Sequence, residues 1–428
     1  MATATSAVPA GKADEKPFGN LRHIALSAFW FGSFFLWQPF TFVIIQNQID
    51  TAVPNKDAQG AAIGLALSFG GLFALAIPPL VGAISDRLTT PWGRRRPIMI
   101  GASILTLPGF ALMAATHSYV GLVIGYAWVQ FFFNAAGAAF AGIIPDVVPA
   151  QQFGRASGFL ATMVQLGSGG GLFTYGLLHG AHQDRWIYLA FALVILATLI
   201  PTSLAAAGEG SEPLPPREPQ SLAALAREFI RPLLGGDFAW VILTRFFVSA
   251  GIVTVASYLL NFFRDVVRVS DPAGFSTFWF LVVLLAAIPF GLAGGHLSDR
   301  LQRRKIFVYT SGAFQTVVAL VFIVFYPTSQ LLVFVLGGIY GVGYGLYYAV
   351  DWALACDTLP DKKNSAKDMG LFHIALTLPQ FVVPFFAGNA LDYFNHASAN
   401  SGYRVVFSST VVFLFLGTLF VSRIRSVR

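Results

Sequence analysis

One aspartate and four arginines crowd into residues 82–97, GAISDRLTTPWGRRRP, between two strongly apolar stretches. A carboxylate at the end of one helix and a guanidinium across a tight loop can pair in one state and exchange partners in another, which makes a two-state latch. The spacing points to Asp86 with Arg94, flanked by Arg87 and turned at Gly93. Arginines alone would satisfy a topology rule; an Asp and a Gly at fixed places favour the latch. The heptad Gly-x-x-Ser-Asp-Arg-Leu recurs at Gly295 to Leu301, 213 positions later, inside GGHLSDRLQRRK. There Asp299, Arg300 and either Arg303 or Arg304 make a weaker second copy, without the Trp92-Gly93 turn.

A second set of polar residues lies inside apolar sequence. Tyr340, Tyr344, Tyr347 and Asp351 fall at i, i+4, i+7 and i+11, one face of a helix that ends in a carboxylate. Tyrosines offer a hydroxylated solute an apolar ring face and a hydroxyl donor, or they pack and find a neighbouring carbonyl. Beside them Gly337, Gly341 and Gly345 suit close helix contact. Arg245 sits about 10 Å inside its apolar segment at 1.5 Å per residue. A charge there costs about 2.5–3.5 kcal/mol unless it snorkels or pairs. Asp351 is the nearest counter-charge in depth, which makes Arg245 and Asp351 the candidate proton-coupling pair.

Gln130, Asn134, Gln165 and Gln380 lie at comparable depth, as interhelical glue or as the lining of a polar cavity. Trp37 and Gln38 precede Pro39, where a lost backbone bond suits a gate hinge; Trp37 serves equally as an interfacial anchor. His23 and His373, lone histidines near helix ends, read as structural. No metal-ligand cluster or nucleophile–base motif appears, and the glycines at 167–171 and 341–345 lie in apolar spans, so they form no phosphate loop. Neither an enzyme nor a cofactor is expected. The single Cys356 excludes an internal disulfide.

The elements that must position these residues follow from composition. With 56% hydrophobic residues, 11% charged and 42 Phe in 428, a water-soluble fold would expose more apolar surface than water tolerates. Hydropathy divides the chain into about twelve spans of near-bilayer length: 21–46, 61–84, 98–115, 119–144, 157–180, 186–206, 238–263, 275–297, 306–326, 330–355, 369–391 and 404–422. Spans this long are helices rather than barrel strands. The expected fold is an all-α membrane protein of two six-helix halves, 21–206 and 238–423. Flanking them are an N-terminal tail at 1–20, a linker at 207–237 and a tail at 424–428. Four prolines between Pro213 and Pro219 forbid packing in the linker, while SLAALAREFIRPLL beyond them suits a surface amphipathic helix or a flexible tether.

The opening residues are polar and mixed in charge, unlike a signal peptide. If they lie inside, 21 of the 27 Lys and Arg fall in inner segments, so both termini are expected to be cytoplasmic in a plasma or bacterial inner membrane. The net charge of +7 is then the positive-inside excess with attraction to lipid headgroups, and calls for no nucleic acid.

The repeat extends further: Asp146-Val-Val-Pro149 is echoed by Asp357-Thr-Leu-Pro360, 211 positions on, close to the offset of the heptads. Parallel six-helix repeats suit a carrier that rocks around a midplane site. The loop Gly-x-x-x-Asp-Arg followed by Gly-Arg-Arg-Arg-Pro resembles the signature loop of the major facilitator superfamily, over residues 20–425. In its form SDRLTTPWGRRRP, with IPDVVP and VDWALACDTLP, the chain is similar to the sucrose carriers and the glycoside-pentoside-hexuronide cation symporters. That resemblance implies proton-driven uptake of a sugar or glycoside such as sucrose or maltose. One departure stands out: plant sucrose carriers are expected to hold a proton-linked Asp in span four, and Val129 to Asn134 contain no carboxylate. Either Asp351 carries the proton, or the chain is a facilitator or exporter of another small solute.

Overall fold

The computed structural model describes residues 18–85, 88, 90–149, 152–207, 209, 231–359 and 365–427. Among these, helices account for nearly all of the chain and no strand occurs. Twelve long helices follow one another: α1 (Asn20–Ala52), α2 (Gln59–Ser85), α3 (Arg96–Ala115), α4 (Tyr119–Val147), α5 (Phe153–Gly180), α6 (Trp186–Ala205), α7 (Asp237–Val267), α8 (Pro272–Leu301), α9 (Arg304–Phe325), α10 (Gln330–Thr358), α11 (Ser365–Ala397) and α12 (Ser401–Val421). Eleven of them, all but α5, are long and apolar enough to cross a membrane. In α5, Gln165, Ser168 and a run of glycines dilute the apolar content, and the glycines serve packing instead. A Cβ at Gly167 or Gly171 would collide with the carbonyl oxygens of Phe31 and Phe35 on α1. Of the expected surface helix in the linker, residues 221–230 lie outside the described residues, and Arg231–Leu233 form a single 3-10 turn.

Local chemistry sets the helix ends. Ser118, Asp271 and Ser329 cap α4, α8 and α10, each accepting from a backbone N–H in the first turn. Arg268, Gln302, Tyr326 and Asn400 adopt left-handed conformations where helices stop or begin. In α1, Pro39 has no N–H to donate, and the ladder widens to a π segment over Phe40–Ile44, with the Ile45 N–H bonded to the Phe40 carbonyl. A second π segment, Phe263–Val267, ends α7.

Helices α1–α6 and α7–α12 pack by the same scheme. In the first half α1 lies on α5 and α6, α2 on α4, and α3 on α4 and α6; the second half repeats every pairing six helices later. The halves meet along α2 with α11 and α5 with α8. Gly341 and Gly345 of α10 lie on the backbone of α8, where a Cβ would meet the carbonyls of Val283 and Ala287.

Polar links between the halves gather at the end of the bundle where α1 stops. There Asp50 of α1 accepts from Asn261 (2.9 Å) and pairs with Arg264 (2.5 Å) of α7. Asp392 of α11 accepts from the N–H groups of Gly60 (3.0 Å) and Ala61 (2.6 Å) that open α2. His179 of α5 meets Asp271 of α8 at 2.8 Å. At the opposite end the described links stay within one half, as in Arg22 to the Ala205 carbonyl (3.0 Å), Arg94 to Asp146 and Arg304 to Asp357. The bundle is therefore tied shut at the Asp50 end.

Candidate functional site

Arg245 and Asp351 share one buried site between α7, α10 and α11. Their side chains are 8% and 5% exposed, and the Arg245 Nη1 bonds to Asp351 Oδ2. Tyr347, a turn earlier on α10, donates its hydroxyl to the other carboxylate oxygen at 2.9 Å. The Arg245 guanidinium also lies 3.7 Å from the centre of the Phe372 ring on α11. Its Nε has no hydrogen-bond partner among the described residues. A buried ion pair must recover several kcal/mol of desolvation through geometry and added hydrogen bonds. Tyr347 and Phe372 supply part of that.

The tyrosine stripe divides. Tyr340 is buried against the Trp279 ring at 5.7 Å and Tyr347 is committed to Asp351. Tyr344 is half-buried, with its ring 4.6 Å from that of Tyr348, which is 38% exposed. Tyr348 follows Tyr344 by four residues, at the edge of the stripe, and is the more exposed aromatic of the pair. His373 of α11 is also exposed.

In the first half the α4 amides bond to each other. Gln130 Nε2 donates to the Tyr126 hydroxyl (2.8 Å), and Asn134 Nδ2 donates to Gln130 Oε1 (2.8 Å) and its carbonyl (2.7 Å). Trp37 packs on Phe133 of α4 at 5.6 Å between ring centres. Gln38, Gln165 and Gln380 are half-buried, and no hydrogen bond to their side chains occurs among the described residues. An amide in an apolar bundle without a protein partner is left for water or a solute.

The signature loop folds around Gly93, whose φ of 94° favours glycine. Thr90 braces the turn, its hydroxyl bonding the Gly93 carbonyl at 2.5 Å. Arg94 reaches Asp146 of α4 with two bonds, 3.1 and 2.7 Å, and Arg95 adds a third at 2.9 Å. Asp86 and Arg87 lie outside the described residues, so the partner the structure gives Arg94 is the aspartate of the Asp-Val-Val-Pro motif. The second copy matches it: Arg304 pairs with Asp357 at 2.5 Å, while Arg300 and Arg303 are exposed and the Asp299 side chain is outside the description.

Two features carry no motif in the sequence. Glu209, in the stretch read as linker, accepts from the backbone N–H groups of Arg95 (2.6 Å) and Arg96 (3.0 Å) and so caps α3. Burial pushes its carboxyl above the usual range, against those two donors. The run Gln46-Asn47-Gln48 near the end of α1 ties that helix to three others. Gln46 donates to the Ala256 carbonyl of α7 (3.0 Å), Asn47 to the Tyr175 hydroxyl (3.4 Å), and Gln48 accepts from Tyr188 (2.6 Å). A polar run closing an apolar span was its only signal.

The sequence profile described as Major Facilitator Superfamily matches residues 23–384. Among solved structures, the chain is similar to a bacterial homologue of the human lysosomal transporter Spinster in its inward-facing, unoccupied conformation. The TM-score is 0.69 at 14% identity over 94% of this chain and 97% of that one. It is likewise similar to a mutant of the nucleoside transporter NupG, with a TM-score of 0.73 at 12% identity over 95% and 100% of the two chains.

Proposed function

The chain belongs to the Major Facilitator Superfamily and is thus a multi-pass membrane transporter of a small molecule; we propose that it carries a sugar or glycoside in symport with a proton, by alternating access. The observation that carries this reading is the set of uncommitted polar groups in an apolar bundle. Gln38, Gln165 and Gln380 lack protein partners among the described residues, and the half-buried Tyr344 stands beside the exposed Tyr348. Amides and tyrosines together offer hydroxyl-rich solutes donors, acceptors and ring faces. In this reading Trp37, Gln38, Gln130, Asn134, Gln165, Tyr344, Tyr347 and Gln380 serve the substrate, and Asp351 with Arg245 serves the proton. Arg94 and its repeat partner Arg304 brace the latch loops, to which Asp86, Arg87, Gly93, Asp299, Arg300 and Arg303 belong. The two carrier halves are taken as 21–206 and 238–423, joined by a cytoplasmic linker.

One observation favours a second reading. The α4 amides are satisfied by each other and by Tyr126, in a segment without a carboxylate, which suits a facilitator or exporter. Purified protein in liposomes separates the two. With labelled sucrose, maltose and a nucleoside, itself an N-glycoside, at least one should accumulate several-fold when the outside is acidified and only equilibrate when it is not. Equilibration regardless of gradient supports the facilitator, and no uptake of any of them removes the sugar reading.

The Lys and Arg distribution supports cytoplasmic termini and an Asp50 end facing out. Cys356, exposed near the opposite end of α10, reports on this. A membrane-impermeant maleimide should leave it unlabelled in sealed cells and label it after permeabilisation; labelling of sealed cells reverses the orientation.

A further inference from the structure

We propose that His179 is a proton-binding site built into the closed gate, and that proton occupancy there sets how firmly α5 holds α8. His179 Nδ1 lies 2.8 Å from both oxygens of Asp184, and its Nε2 lies 2.8 Å from Asp271 Oδ1. Ionised carboxylates only accept hydrogen bonds, and a neutral imidazole carries a single N–H. Both contacts are hydrogen bonds at once only when the ring is an imidazolium. Loss of the proton turns one contact into lone pair against lone pair, and Asp184 belongs to the same half as His179. The contact free to separate is therefore the one to Asp271, across the halves.

The repeat gives an independent view of the same site. Asp392 stands 213 positions after His179, the offset of the two heptads, at the matching end of α11. Asp392 itself accepts from the first N–H groups of α2. In the other half the acid has changed sides: Asp271 caps its own helix, accepting from Gly274 at 2.8 Å, and a histidine stands where the carboxylate would be. The α2–α11 tie needs no proton on its acceptor. The α5–α8 tie, its counterpart, requires one.

The groups around the ring are few. Tyr175 stacks on it with centres 5.4 Å apart and accepts from Asn47 of α1, and Tyr188 of α6 is bound to Gln48. Arg185 lies over the Trp186 ring, and His182 is exposed. Asp184 and Asp271 are the charged groups in contact, with side chains 43% and 52% exposed, so protons reach the site from the aqueous phase at that end. A second histidine paired with a carboxylate at this end, His396, is 3.7 Å from Asp57 with both side chains more than half exposed, and serves as a control.

Because the closed state holds the proton, acid favours closure and alkali favours separation. Spin labels at Leu189→Cys on α6 and Phe278→Cys on α8, in a Cys356→Ser background, report the gap in nanodiscs by pulsed dipolar spectroscopy. Between pH 6 and pH 9.5 the ratio of short to long distances should fall, by up to about tenfold per pH unit through the titration. His179→Gln should abolish that dependence, and His396→Gln should keep it. Asp271→Asn retains the helix cap but offers the ring a neutral partner, and should move the transition to lower pH. A pH-invariant distribution in the parent protein, an unchanged transition in His179→Gln, or its loss in His396→Gln instead would each overturn the proposal. The readout involves no substrate, so failure of the sugar reading leaves it intact.

Discussion

Asp351→Asn is expected to abolish accumulation of substrate against its gradient while sparing downhill exchange. In the folded protein Arg245 is buried with Asp351 as its partner, and Tyr347 completes the carboxylate. In the proposed symport, protonation of Asp351 would release the guanidinium to another partner, and that exchange would link proton binding to rocking of the halves. Removing one member of a buried pair costs about 3–5 kcal/mol because a charge is left unpaired. Asp351→Asn should thus lower thermal stability as well as accumulation. Arg245→Gln leaves the carboxylate with Tyr347 alone and should impair accumulation too. The double variant leaves no unpaired charge and should express and melt closer to the parent than either single variant, yet still fail to accumulate. Uptake with and without a pH gradient, beside melting temperatures, checks all three. Accumulation by Asp351→Asn equal to the parent removes Asp351 as the proton site.

That pair was legible because charge is rare in apolar sequence. Two ionisable residues at similar depth in one half have few other ways to be solvated, so depth alone joins Arg245 to Asp351. The twelve helices were legible for a related reason: a bilayer forces the backbone to satisfy itself, and hydropathy then marks each span. The α5 span is the instructive case: hydropathy marks it at 157–180 and it folds as a long helix over Phe153–Gly180, although it is the least clearly apolar of the twelve. Groups that cross between distant helices were not legible. Gln46, Asp50 and His179 look like ordinary ends of spans, and only the fold brings Ala256, Arg264 and Asp271 against them. Glu209 was hidden differently, because its role is to cap backbone N–H groups, which no side-chain pattern announces. The contact of Arg94 with Asp146 was hidden by distance, since the two lie more than fifty residues apart in sequence and only the fold brings them to two hydrogen bonds.

The tie between α1 and α7 should be the strongest single determinant of closure at the Asp50 end. Asp50 takes Asn261 and Arg264 from across the interface, and Arg264 is held in turn by Asp265 at 2.7 and 2.9 Å. Tyr403 of α12 donates to Asp265 at 2.5 Å, which anchors the whole group to the second half. One guanidinium therefore serves two carboxylates, and opening the gate strips it from only one. In Asp50→Asn, Arg264 keeps Asp265 and the new amide still accepts from Asn261, so the closed state loses one ion pair. A loss of about 1.4 kcal/mol shifts the closed-to-open ratio tenfold. Arg264→Gln removes the cation from both carboxylates and should open the gate further. Ser257→Cys, buried on α7 one turn before Asn261, reports the opening through its rate of reaction with an impermeant maleimide in a Cys356→Ser background. That rate should rise about tenfold in Asp50→Asn and more in Arg264→Gln, with Gln46 and Ala256 parting in the same step. An unchanged rate in both variants would show that α2 with α11 and α5 with α8 hold the gate without α1 and α7.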